Sequence, residues 1–169
     1  MINPNDITNY HRTEGELQEF LLFCVMCAGK SSTVQAKKLE EFLAPCREAG
    51  LTPWEYIRGC SDKVLMRNMK RAKIGKYKLL FDSFRSLSKM LLSGFMYDHP
   101  TPHVMRYPLT ARPAVGIKTA SLFLLHSIKD SRMAVLDTHL LKYLRKLYPK
   151  ARVPKASPQS MDRYMELED

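Results

Sequence analysis

The 169-residue sequence has no cysteine after Cys60, no long apolar run and almost no residues in strand-like alternation. Each absence excludes something. The longest apolar run, Phe20 to Ala28, falls far short of the roughly 20 residues a membrane span needs and carries two cysteines. The opening MINPNDITNY lacks a basic segment followed by an apolar one, so no signal peptide is expected. Four cysteines (Cys24, Cys27, Cys46 and Cys60) without an export signal are expected as reduced thiols, placing the protein in the cytoplasm or nucleoid. Cys24-x-x-Cys27 has no second pair at zinc spacing and lies within an apolar helix, so buried core thiols are expected there. AGKSS (28–32) is not a phosphate loop, because the glycine such a loop needs is replaced by Cys24. Acidic residues are also scarce: between His99 and Met161 there are only Asp130 and Asp137.

Basic residues are abundant. The chain carries 27 Lys+Arg against 17 Asp+Glu, a net charge of +10. Residues 1–62 are acidic, with six basic and nine acidic side chains, whereas residues 63–98 carry nine against two and residues 99–169 twelve against six. Such an uneven distribution suits one face built for a polyanion. Lys63, Arg67, Lys70, Arg71, Lys73, Lys76 and Lys78 divide between solvated positions and contacts to a nucleic-acid backbone. At 45% hydrophobic residues the composition supports a packed core, and the length suits one unit, 1–169, with helical lobes at approximately 14–95 and 100–169.

The periodicity is helical nearly throughout and the class is all-α. Glu16 to Ala28 reads as a buried helix stopped by Gly29. Ser31 or Ser32 caps the next, which runs to Pro45. Thr52-Pro53-Trp54-Glu55 combines an N-cap threonine, a proline at the first position and a glutamate at the third, a capping box. Short and long helices follow from Ser61-Asp62 and from Lys76 to Leu92, the second closed by Gly94. HPTPHVMRYPLTARP (99–113), with four prolines, reads as a surface loop. Gly116–Ser127 and Asp137–Leu147 read as helices, 151–158 as a linker and Ser160–Glu168 as the start of a last helix. Trp54, Tyr77 and Phe123 fit core packing better than base stacking. His126 reads as a satisfied core histidine, and His139 as a structural one bonded at a helix start.

The chemistry concentrates in PAVGIKTASLFLL (113–125) and MAVLDTHLLKYL (133–144). Pro113 to Gly116 makes a tight turn in which Gly116 is free to take a positive φ or admit another backbone. The helix that starts there presents unpaired N–H groups and a positive dipole end, a good phosphate site. Lys118 sits in its first turn, where the dipole disfavours a cation, which marks it for function. Asp137 follows 19 residues later, at the expected N-cap of the next helix.

PAVGIKTA is similar to the hairpin of the helix-hairpin-helix (HhH-GPD) DNA glycosylase superfamily, close to L-P-G-V-G-x-K-T-A, and LDTH resembles that family's downstream V-D-T-H. EFLLFCVMCAGKSSTVQAKKLEEFL and IGKYKLLFDSF resemble its earlier helices, so the resemblance covers about residues 14–145. It implies a two-lobed helical fold with the hairpin at a DNA cleft, and a base-excision glycosylase with AP lyase activity. Lys118 takes the position of the catalytic lysine, attacking C1′ of a flipped nucleotide to give a Schiff base and then β-elimination. A neutral amine is required, which desolvation and the helix dipole favour. Asp137 takes the position of the carboxylate that activates the nucleophile and stabilises the developing positive charge. Pro113, Val115, Gly116 and Thr119 map onto the DNA-binding hairpin, with Lys76, Lys78 and Arg71 as further DNA contacts. The family often holds a sodium or potassium ion on the hairpin backbone, here near Val115.

Three departures matter. Ala114 replaces the first hairpin glycine, so the turn is expected to avoid positive φ there; Arg112 stands at an apolar position; and the missing cysteines exclude an iron–sulfur cluster. The resemblance is therefore closest to the cluster-free 8-oxoguanine branches. The expected partner is double-stranded DNA with a damaged or modified base, bound by a monomer without a membrane. Excision of another modified base and a non-catalytic DNA-binding hairpin stay open as alternatives.

Overall fold

Thr13 starts the first helix by a capping box: its side chain accepts from Glu16 N, while Glu16 Oε2 accepts from Thr13 N at 2.8 Å. This helix, α1 (Glu14–Met26), opens a computed structural model that describes residues 2–91 and 101–168. Phe20 to Met26 are all buried, so the second half of α1 has no solvent face and runs through the core. Packed on it are α2 (Ser32–Glu48), α3 (Pro53–Gly59) and a later helix, α5 (Tyr77–Leu87). α4 (Asp62–Arg71), capped by Ser61, packs on α2 and α5. Gly29, at φ 71, turns the chain between α1 and α2. The expected capping box at Thr52 is present, and the buried Gln18 amide accepts from Trp54 N at 2.9 Å, fixing α3 against α1.

Four local expectations change. Ser31 is the N-cap of α2 but makes no side-chain bond, and α2 runs through Pro45 to Glu48 because Cys46 behind it is still buried in the core. α5 starts at Tyr77 and ends at Leu87; its predicted closure at Gly94 lies outside the described residues, as does the predicted lobe boundary. The stretch read as a surface loop instead contains a helix, α6 (Pro102–Thr110). Thr101 caps it, Pro102 occupies the first position, and Met105, Arg106 and Leu109 are buried.

α6 packs on α7 (Ile117–Leu125), and α7 packs on α1, completing a helix-hairpin-helix unit docked on the central helix. α8 (Thr138–Leu147) and α9 (Met161–Met165) follow; α9 is shorter than expected, the chain turning from Glu166 to Glu168. There is no strand among the described residues, and the segment 132–137 has no regular secondary structure, Arg132 taking a left-handed φ of 49. One core draws on Leu17 through Met133, so both predicted lobes contribute to it. A smaller cluster joins Leu136, Leu141 and Tyr164 with Ile117, Leu140, Leu144 and Val153.

An N-terminal strap crosses the end of α7. The Arg12 guanidinium donates to Asn9 O (2.8 Å), Ile7 O (2.5 Å) and His126 O (2.7 Å) and lies 3.8 Å over the Phe20 ring. Asn9 N donates to the same His126 carbonyl, and Thr8 Oγ1 lies 2.8 Å from His126 Nδ1. His126 is thus satisfied, as expected. Burial, followed by the Arg12 charge, lowers its pKa below the ordinary histidine value. A lowered folded-state pKa means its contribution is present above the unfolded value and lost on acidification through the folded one. His126→Gln is expected to flatten the stability loss below about pH 6.5, checked by urea midpoints from pH 7.5 to 5.

Candidate active site

The turn between α6 and α7 is closed by Arg112 N to Leu109 O (3.0 Å) and Val115 N to Arg112 O (3.2 Å). Ala114 sits at φ 62, contrary to the expectation that an alanine there avoids positive φ. The reason is geometric: buried Val115 and the two turn bonds hold the loop in the glycine conformation, and Ala114 accepts the strain. Gly116, conversely, takes φ −78 and ψ 167 as the N-cap of α7 and needs no left-handed conformation. Nothing lies within 4 Å of where its Cβ would be, so its contribution is an open approach to the backbone. Ala114→Gly is expected to raise stability by about 1 kcal/mol, read as a shifted urea midpoint at unchanged slope.

Gly116 brings no side-chain cap, and no acidic residue occupies the first turn of α7. The first turn of α7 lines a cleft of about 300 Å³, whose walls are the end of α1 (Cys24, Cys27, Ala28), the hairpin (Ala114, Gly116, Lys118) and a late segment, 157–159. Lys118 is exposed on this wall and makes no hydrogen bond or ion pair among the described residues. Thr119 is buried and lines the same wall, whereas Pro113 is exposed beside it. Cys24 is buried and Cys27 half-buried at the C-cap of α1; burial raises both thiols, Cys27 to about 12, so they face the cleft protonated. Their expected role as core thiols thus extends to a wall of this cleft.

Asp137 is the N-cap of α8: its Oδ1 accepts from Leu140 N at 2.8 Å. It lies outside the cleft lining, but its chain neighbour Leu136 and Lys118's neighbour Ile117 belong to one apolar cluster. The two segments are therefore packed together. His139, read as bonded at this helix start, is instead exposed and makes no hydrogen bond among the described residues, because Asp137 already caps the helix. Arg112 lies half-buried at the expected apolar position, with its Nη1 3.4 Å from Ser86 Oγ, tying the hairpin turn to α5. Trp54 and Phe123 are fully buried and Tyr77 packs against the core, as expected.

The other basic candidates sit on a neighbouring rim. Lys76, in left-handed conformation at the N-cap of α5, donates to Ala28 O at 3.4 Å, and Lys30 donates to Ile74 O at 2.7 Å. These bonds hold the 73–76 segment against Ala28, itself a cleft residue. Burial, then the charges of Lys76 and Lys38, lower the Lys30 pKa: three ammonium groups crowd one edge. Lys78 and Arg71 are exposed nearby in sequence. Ser157, Pro158 and Gln159 were not among the expected site residues, since 151–158 reads as a linker; its prolines are the one signal that the path is fixed.

No protein-family model matches the sequence, and no curated protein matches it. Two solved structures do match in fold. One is Methanocaldococcus jannaschii 8-oxoguanine glycosylase/lyase in complex with 15mer DNA containing 8-oxoguanine, at TM-score 0.72 and 18% identity, covering 94% of this chain and 70% of that one. The other is the 8-oxoguanine DNA glycosylase of the same organism, at TM-score 0.62 and 21% identity, covering 97% and 72%. The chain thus shares the all-helical fold of these glycosylase structures, with the hairpin-borne Lys118 facing its cleft.

Proposed function

We propose that the protein is a DNA glycosylase with AP lyase activity, acting on a damaged base of which 8-oxoguanine is the first candidate. The observation that carries this reading is the uncommitted Lys118 side chain, in the first turn of a hairpin helix, on the wall of a cleft about 300 Å³ in volume. That volume lies at the lower end of small-ligand sites, about 300–1,000 Å³. The fold shared with two 8-oxoguanine glycosylases supports the substrate class.

In the proposed reaction the target nucleotide leaves the stack and enters the cleft. The neutral Lys118 amine attacks C1′; the C1′–N bond breaks and the base departs with the bonding pair and then a proton. Ring opening gives a protonated Schiff base. Loss of a C2′ proton then expels the 3′ phosphate, and water releases the sugar from Lys118. Because Lys118 is exposed, exclusion of water from the amine comes from the bound DNA. Asp137 supplies negative charge beside the sugar as positive charge develops. The N–H groups at Gly116 and α7 hold a backbone phosphate, with Pro113, Val115 and Thr119 shaping the turn, while Lys76, Lys78 and Arg71 hold flanking phosphates. A sodium or potassium ion near Val115 would need backbone carbonyls as its donors, since no carboxylate lines the cleft. When bound, such an ion would offset phosphate charge.

A panel of duplexes, each with one lesion (8-oxoguanine, an oxidised pyrimidine, an abasic site), scored for strand nicking tests this. Nicking of the abasic and 8-oxoguanine duplexes is expected. Tight, steeply salt-dependent binding with no nicking of any duplex would overturn it in favour of a non-catalytic hairpin module.

A further inference from the structure

The segment that leads into Asp137 is held from one side by Tyr164 and Glu168. Tyr164 Oη donates to Ala134 O (3.0 Å) and accepts from Leu136 N (2.8 Å), bridging the two sides of Val135. Glu168 Oε1 accepts from Ala134 N at 2.6 Å, and both Glu168 oxygens accept from Arg106 Nη2, at 2.9 and 2.7 Å. Arg106, Tyr164 and Glu168 are almost completely buried, and the Arg106 guanidinium lies 5.2 Å from the Tyr164 ring centre. His103 Nδ1 approaches Glu168 Oε2 at 3.6 Å.

These bonds leave Ala134 and Leu136 without freedom to rotate. Asp137 N closes onto Val135 O at 2.7 Å, so the next φ is fixed by the same frame, and Asp137 enters α8 with its carboxylate on Leu140 N. A phenol hydroxyl that both donates to and accepts from one backbone segment fixes that segment's geometry, and its removal leaves Ala134 O and the buried Leu136 N without that partner. Burial raises the Tyr164 pKa, keeping the hydroxyl able to do both.

We infer that Tyr164, with Glu168 behind it, is a positioning residue for Asp137: the C-terminal segment sets where that carboxylate stands relative to Lys118. The inference rests on the glycosylase/lyase reading for its consequence in catalysis, and on geometry alone for the positioning.

Tyr164→Phe keeps the ring and removes both bonds. With abasic DNA and borohydride trapping, the variant is expected to lower kcat about tenfold with KM within twofold, and to have no further effect when combined with Asp137→Asn. Equal kcat for Tyr164→Phe and wild type, or losses that multiply in the double variant, would overturn the inference and leave the activity standing. If the wild type forms no adduct, the proposed activity falls, and the positioning is decided by amide exchange. There Tyr164→Phe is expected to speed exchange at Leu136 and also at Leu140, the amide that Asp137 caps. Faster exchange at Leu136 alone would overturn it. If Tyr164→Phe does not fold, wild-type exchange serves: Leu136 and Leu140 are expected to share one opening free energy, and separate openings overturn the inference.

Discussion

Lys118→Ala is expected to lower single-turnover cleavage of abasic DNA on the order of 10³-fold or more and to abolish borohydride trapping. The size follows from its role: every bond-breaking step of the proposed reaction passes through a covalent bond to its Nζ. The amine is accessible, makes no bond among the described residues and lines the cleft beside Gly116, so its loss removes reactivity without undoing a structural contact. Stability is expected to stay within about 0.5 kcal/mol of wild type, or to rise slightly, since a cation leaves the positive end of α7. Affinity for undamaged duplex falls only by one phosphate contact, measured as a slightly shallower salt slope. If the alanine variant traps as well as the wild type, another amine is the nucleophile. Lys30 is the place to look, because burial and then the neighbouring Lys76 and Lys38 charges lower its pKa.

The second large effect concerns stability. Arg106 is 0% exposed and Glu168 2% exposed, and they form a bidentate ion pair. Arg106→Met keeps most of the volume but leaves the Glu168 carboxylate buried without its cation. Breaking such a pair costs about 3–5 kcal/mol. For a chain of this size that corresponds to a melting temperature lower by roughly 10 °C. Replacing both, Arg106→Met with Glu168→Leu, is expected to recover most of the loss, because two apolar side chains of similar size avoid the desolvation cost altogether. The recovered protein would still lack the acceptor for Ala134 N. Thermal unfolding of Arg106→Met, Glu168→Leu and the double variant checks the cycle; an Arg106→Met loss below about 1 kcal/mol would mean that water reaches the pair.

Local signals carried the sequence reading furthest. The capping boxes at Thr13 and Thr52 need only neighbouring residues, and the one at Thr52 was legible from four letters. α1 was legible because its second half, Phe20 to Met26, is apolar on every side. α6 was not: its prolines read as loop residues, yet Pro102 stands at the first position, where no N–H is needed, and Arg106 is buried only because Glu168, 62 positions away, neutralises it. Burial that depends on a distant partner leaves no periodic mark. Ala114 fails for a related reason, since turn geometry imposed by Val115 and Leu109 overrode the residue's own preference. Lys118 and Asp137 stood out from motif and spacing, whereas Ser157–Gln159 entered the cleft by a chain path that composition does not encode.

The strap across His126 has a mechanical consequence. α7 is anchored at one end by the Ile117 cluster and at the other by Arg12, Asn9 and Thr8, which oppose sliding along its axis. A helix clamped at both ends behaves as an anvil. On the proposed reaction, the work of bending and unstacking falls on the duplex and not on the protein.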